Sequence, residues 1–165
     1  MAKAKAKKGK KKAPAKSKAP KRVNWLGPKM PPISPYLSVR DGVAALAFYE
    51  KAFGFKKRFE LKTPEGRLMH GEVEHHAGVI MLGEPHAELE YRSPADVGGS
   101  PVSLYVYVPD VDAVASRAKA AGASILRDPT DQVYGDRTCE MKDPEGHRWC
   151  FATHVKDVNP EDLKG

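Results

Sequence analysis

Cysteine is nearly absent from this 165-residue chain, and its two copies exclude a disulfide-stapled secreted scaffold. Long hydrophobic runs are missing too. The apolar stretches are the size of single strands, and the Lys-rich start lacks the apolar segment that a signal peptide or membrane anchor needs. A soluble, cytoplasmic protein is expected. Acidic residues are missing from one place only. Met1 to Arg22 holds ten Lys and one Arg with no acid, which leaves 17 basic against 21 acidic residues in the remainder. The formal charge therefore splits into +11 on the first 22 residues and −4 on the rest.

That basic stretch carries no large apolar residue beyond Met1, so it is expected to be disordered. Its charge density suits non-specific nucleic acid binding by counterion release, which adds nucleoid association to the expected cytoplasmic location. A solubilising appendage fits the same composition. Val23 to Pro32 reads as an extended connector that Trp25 pins to the body.

The body repeats itself. Ser34-Pro-Tyr-Leu-Ser-Val-Arg-Asp41 returns as Ser103-Leu-Tyr-Val-Tyr-Val-Pro-Asp110, an offset of 69 at both ends. Each copy is a short alternating strand ending in an Asp that suits a helix N-cap. Gly54 and Gly122 close the helices, and Met81 and Cys150 keep the offset of 69. A constant offset of this kind signals a duplicated module.

Within the first module the pattern predicts a strand Ile33 to Val39 and a helix Gly42 to Phe53 with an apolar stripe of Val43, Leu46, Ala47 and Phe53. Strands Phe55 to Leu61, Arg67 to Glu74 and Val79 to Leu82 follow, with turns at Thr63 to Gly66 and His75 to Gly78. A polar linker, Glu84 to Gly99, leads to the second module: strand Val102 to Val108, helix Val111 to Ala121, strand Ser124 to Leu126, a loop through Asp131 to Asp136, and a hairpin of Arg137 to Lys142 with His147 to Thr153.

Several segments together resemble the vicinal oxygen chelate superfamily, the glyoxalase, bleomycin-resistance and dioxygenase group, and within it the PhnB-like branch. They are the two strand-to-Asp segments, Phe48-Tyr-Glu-Lys-Ala-Phe-Gly54, Leu68-Met-His-Gly-Glu72, Gly135-Asp-Arg137 and Asp143-Pro-Glu-Gly-His-Arg-Trp149. The resemblance implies an α+β fold in which two βαβββ modules curl eight strands around a ligand cleft, and a homodimer. It divides the chain into a basic tail and connector (1–30), the two-module domain (31–156) and a short C-terminal tail (157–165).

Period-two alternation assigns faces to the strands. Leu37, Val39, Met69, Val73, Leu104, Val106 and Val108 are expected under the helices, which leaves Tyr36, His70, Glu72, Glu74, Tyr105 and Tyr107 toward the cleft. A type I turn with a glycine bulge at Asp143 to Gly146 pairs Asp143 with His147. Cys139 then falls opposite Phe151 and Met141 opposite Trp149 on the packed face, with Glu140 opposite Cys150 on the cleft face. The two cysteines point to opposite faces.

Metal-dependent members of the resembled superfamily take ligands from positions that are here Ser34, Met81, Ser103 and Cys150. None is an imidazole or carboxylate, so neither metal nor other cofactor is expected. The predicted ligand-binding set is Tyr36, His70, Glu72, Tyr105, Tyr107, Arg137, Glu140 and Cys150. Within it, His70 and Glu140 are the catalytic candidates as an acid/base pair, and Arg137 is a candidate anion clamp. His75 and His76 are expected to be solvated, and His147 and His154 to be surface or pairing residues. Three function classes follow: a metal-free binder of a small organic molecule, favoured by the emptied metal positions beside tyrosines that suit a flat or cationic guest; an enzyme of lyase, isomerase or dioxygenase type working through His70 and Glu140; and a nucleic-acid-associated protein acting through the tail.

Overall fold

Asp41 and Asp110 do what their positions in the repeat predict: each side chain accepts a 2.9 Å hydrogen bond from the third residue on, Ala44 N and Ala113 N, and opens a helix. The computed structural model describes residues 26–85 and 91–163. The basic stretch and Trp25 lie outside them. In chain order the first module comprises β1 (Tyr36–Ser38), α1 (Gly42–Phe48) continued by a π-helical turn (Tyr49–Phe53), β2 (Lys56–Lys62), β3 (Leu68–His75) and β4 (Gly78–Gly83). The second comprises β5 (Ser103–Tyr107), α2 (Val111–Ala121), β6 (Ser124–Asp131), β7 (Asp136–Lys142) and β8 (Arg148–His154).

The α+β architecture of two βαβββ modules is observed, with the strands divided into two four-stranded sheets. Their orders are β1-β4-β3-β2 and β5-β8-β7-β6, so β1 and β5 are both edge strands. Each of them pairs parallel to the last strand of its own module. The hairpin register is as expected, with Cys139 opposite Phe151, Glu140 opposite Cys150 and Met141 opposite Trp149. Both cysteines are free.

One core serves both modules. Phe53 of the first reaches Trp149 and Phe151 of the second at ring-centroid distances of 4.9 and 4.7 Å. Beneath these rings Asp143 accepts from the Tyr49 hydroxyl (2.8 Å) and the Trp149 indole N–H (2.9 Å), a polar tie across the module boundary. Two apolar assignments shift. The helix buries Ala45, Leu46 and Phe48 and its π turn adds Tyr49, Ala52 and Phe53, while Val43 and Ala47 stay exposed. On β3, a register irregularity between the Leu61–His70 and Lys62–Leu68 pairs turns Leu68 into the core and leaves Met69 exposed. β6 also runs past Leu126, because its Pro129 lies on an edge strand within a register shift, where no ladder donor is needed.

Candidate functional site

In a parallel ladder, alternate residues turn both peptide groups toward the partner strand. Pro35 O and Val39 N bond to β4, so the N–H and C=O groups of Tyr36 and Ser38 point away from the sheet at the open edge. Val108 N bonds to β8, and by the same alternation those of Tyr105 and Tyr107 point from the edge of β5. Two histidines reach across between the modules. His147 Nε2 donates to Ser38 O at 3.0 Å and His75 Nε2 to Tyr107 O at 3.0 Å, each with its proton on Nε2 because a carbonyl only accepts. Since Ser38 ends β1 and Tyr107 ends β5, the two contacts set the edges antiparallel. The bond of His75 replaces its expected solvated role, and His147, expected at the surface or in a pairing role, pairs and is buried.

Between the two edges lies a cavity of about 970 Å³, within the size range of small-molecule sites. Tyr36, Tyr91, Tyr105, Phe55, Leu104 and Val106 are among its walls. The Tyr36 ring stacks on Tyr91 at 5.5 Å and tilts over His70 at 5.8 Å.

The expected ligand-binding set divides around this cavity. Tyr36, Tyr105 and Tyr107 line it; His70, Glu72, Glu140 and Cys150 lie beyond its walls. His70 pairs with Glu72 (3.3 Å), and Glu72 pairs with Arg58 (3.5 Å). Glu140 is held by Arg127 (3.3 Å) and Arg148 (3.2 Å). Among the described residues no hydrogen bond or ion pair joins His70 to Glu140, so the proposed acid/base pair is not assembled. Arg137 leaves the site altogether. β7 begins at Asp136, so alternation sends Arg137 to the helix side, where Asp112 (2.7 Å) and Asp131 (2.9 Å) occupy its guanidinium and raise its pKa further.

In place of Arg137, the structure brings in Asp136. Its buried carboxylate accepts from Tyr105 OH (3.1 Å), Tyr107 OH (2.7 Å) and His154 Nδ1 (2.9 Å), while His154 Nε2 donates to Asp157 (2.9 Å). Donation from both ring nitrogens requires the imidazolium, and the hydrogen bonds to Asp136 and Asp157 raise the His154 pKa accordingly. The bond from His154 holds the Asp136 carboxyl below its usual range. Burial, with Tyr134 and Asp136 as partners, pushes the Tyr105 phenol well above its ordinary value. Neither tyrosine is a base. They are neutral donors locked on Asp136, with their rings left partly exposed. The sequence signal was the same alternation that puts Glu140 on this face, extended four residues back.

The four positions that hold metal in metal-dependent relatives do not fit a divalent ion here. Met81 sits beside Tyr36 and Cys150 beside Tyr105 in the parallel ladders. Ser34 Oγ is buried with no hydrogen-bond partner. Burial raises the Cys150 thiol, and it pushes that of Cys139 up to about 11, so neither presents a thiolate near neutral pH. Among the described residues no three His, Cys, Asp or Glu side chains are grouped to hold an ion.

Paired βαβββ modules around a cavity at their open first-strand edges define the class, and the comparisons agree. The chain matches the Glyoxalase/Bleomycin resistance protein/Dioxygenase superfamily over residues 25–151 and belongs to that superfamily. Uncharacterized proteins of Mycobacterium bovis and Mycobacterium tuberculosis are 34% identical over 137 residues, covering 81% of this chain and 90% and 81% of theirs. The crystal structure of TioX from Micromonospora sp. ML1 is similar with a TM-score of 0.60 and 26% identity, covering 78% of this chain and all of that one. A family enzyme from Burkholderia phytofirmans shares the fold at 22% identity, with a TM-score of 0.59 over 73% of this chain and 95% of its own. Among the described residues no helix is long and apolar enough to cross a membrane.

Proposed function

We propose that the chain binds a small organic molecule, without metal, in the cavity between the edges of β1 and β5. The observation that carries this reading is the aromatic and aliphatic lining of that cavity beside positions that lack metal donors. Catalysis through His70 and Glu140 is disfavoured, because each is satisfied by partners in its own sheet. The test is a thermal-shift screen on chelator-treated protein, repeated after adding Zn²⁺, Mn²⁺ or Ni²⁺. The same compounds should stabilise the chain with and without metal. Stabilisation that appears only with metal would overturn the proposal.

Membership of the PhnB-like branch, a cytoplasmic location, the boundaries 1–30, 31–156 and 157–165, homodimerisation, and nucleic acid binding by residues 1–22 are further parts of this reading. The split of +11 against −4 supports the last of them. Sedimentation of the full chain with and without a short DNA duplex reads both assembly and binding. A dimer is expected, with DNA association that falls steeply with salt. A monomer, or association insensitive to salt, would contradict the corresponding part.

A further inference from the structure

Outside the basic stretch the chain carries −4, yet no carboxylate lines the main cavity among the described residues; Asp136 lies behind Tyr105 and Tyr107 and is paired with His154. Arg92 and three histidines, His75, His76 and His147, line it instead. A second cavity of about 550 Å³ adjoins it, sharing the loop residues Val97, Gly99, Ser100 and Pro101 as a common wall. The charged residues lining that second cavity are Lys142 and Arg148, and again no acid is present.

Lys142 and Arg148 stand directly opposite each other in the β7–β8 ladder. Like charges in directly opposed positions destabilise a strand pair. Glu140 offsets part of this through Arg148 at 3.2 Å, but it is shared with Arg127 at 3.3 Å. Lys142 makes no ion pair among the described residues. Glu140 thus serves two arginines, and Lys142, unpaired by any acid among the described residues, lines the smaller cavity with Arg148. An anion placed there gains two charge-assisted partners and relieves the repulsion between them. A cationic guest would face Lys142 and Arg148.

We infer that the ligand is an amphiphilic organic acid. Its apolar body lies between β1 and β5, and its carboxylate passes the Val97–Pro101 loop to Lys142 and Arg148. This rests on the proposed small-molecule reading and narrows it, against the overall negative charge of the body, by the sign of the groups that line the site.

The test is calorimetric titration of the full chain with octanoate, octanol and octyltrimethylammonium, which share one chain length and differ in head-group charge. Octanoate should bind about tenfold more tightly than the other two, the gain expected from a modest charge-assisted contact. In a Lys142→Ala/Arg148→Ala variant that preference should shrink to within about twofold, with octanol unchanged. Lys142→Met, which retains the Arg148–Glu140 pair, should lose part of the preference and guards against a double variant that fails to fold. The basic N-terminal stretch is common to every variant, so its contribution cancels. Equal binding of octanol and octanoate, preference for the ammonium, or a preference that survives both variants overturns the inference and leaves the cavity reading standing. Silence from all three compounds overturns both.

Discussion

Replacing Asp143 with alanine is expected to cost the fold about 3–5 kcal/mol, because three buried donors lose their acceptor. Asp143 is 5% exposed and receives three donors: Tyr49 OH at 2.8 Å, Trp149 Nε1 at 2.9 Å and its own turn's His147 N at 2.9 Å. Tyr49 and Trp149 are both fully buried, so water cannot replace the lost acceptor. Each stranded donor carries a desolvation penalty of about 1–3 kcal/mol, and only partial relaxation separates the sum of these from the expected loss. Because Tyr49 belongs to the first module and Trp149 to the second, the damage falls on their junction. Asp143→Asn should fall between, since one oxygen can still accept while its amide meets the donor at His147 N. Urea unfolding measures both variants. A loss below about 1 kcal/mol for alanine would mean that the network contributes no more than a solvent-exposed contact.

The second large effect is on binding. Val102 lines the cavity and is 63% exposed, so Val102→Trp adds an indole at the cavity wall without disturbing buried packing. Overfilling a formed site costs about 1–3 kcal/mol, which predicts that octanol affinity falls by about tenfold to a hundredfold. Stability should stay within about 0.5 kcal/mol, as for other surface substitutions. Val133→Trp is the control, since Val133 is 84% exposed and does not line the cavity. Equal losses in the two variants would detach the cavity from binding.

Much of this fold was legible because it is local and repeated. The 69-residue offset carries the pseudo-symmetry into space: Tyr36 and Tyr105 are edge-strand neighbours of Met81 and Cys150, and Ser38 and Tyr107 each accept from a histidine of the other module. The last hairpin followed from its turn, because a glycine bulge fixes register residue by residue. What alternation could not supply were its interruptions. α1 turns Ala45 and Leu46 rather than Val43 and Ala47 to the core, and a bulge exchanged Met69 for Leu68. The anion-clamp role proposed for Arg137 ran against the same alternation: it shares the parity of Cys139 and Met141, the face opposite Asp136 and Glu140. The inter-module bonds of His75 and His147 had no sequence signal. Their acceptors lie 32 and 109 residues away and are backbone carbonyls, which side-chain identity does not mark.

The most direct test of the cavity as the binding site is a ¹⁵N–¹H correlation spectrum of the chelator-treated chain titrated with octanol. The free amides of Tyr36, Ser38, Tyr105 and Tyr107 point into the space between β1 and β5, so they are expected to show the largest shifts, with saturation in the absence of any metal. Shifts concentrated instead at His70, Glu72 and Glu140, or binding that begins only when a divalent metal is added, would contradict the account.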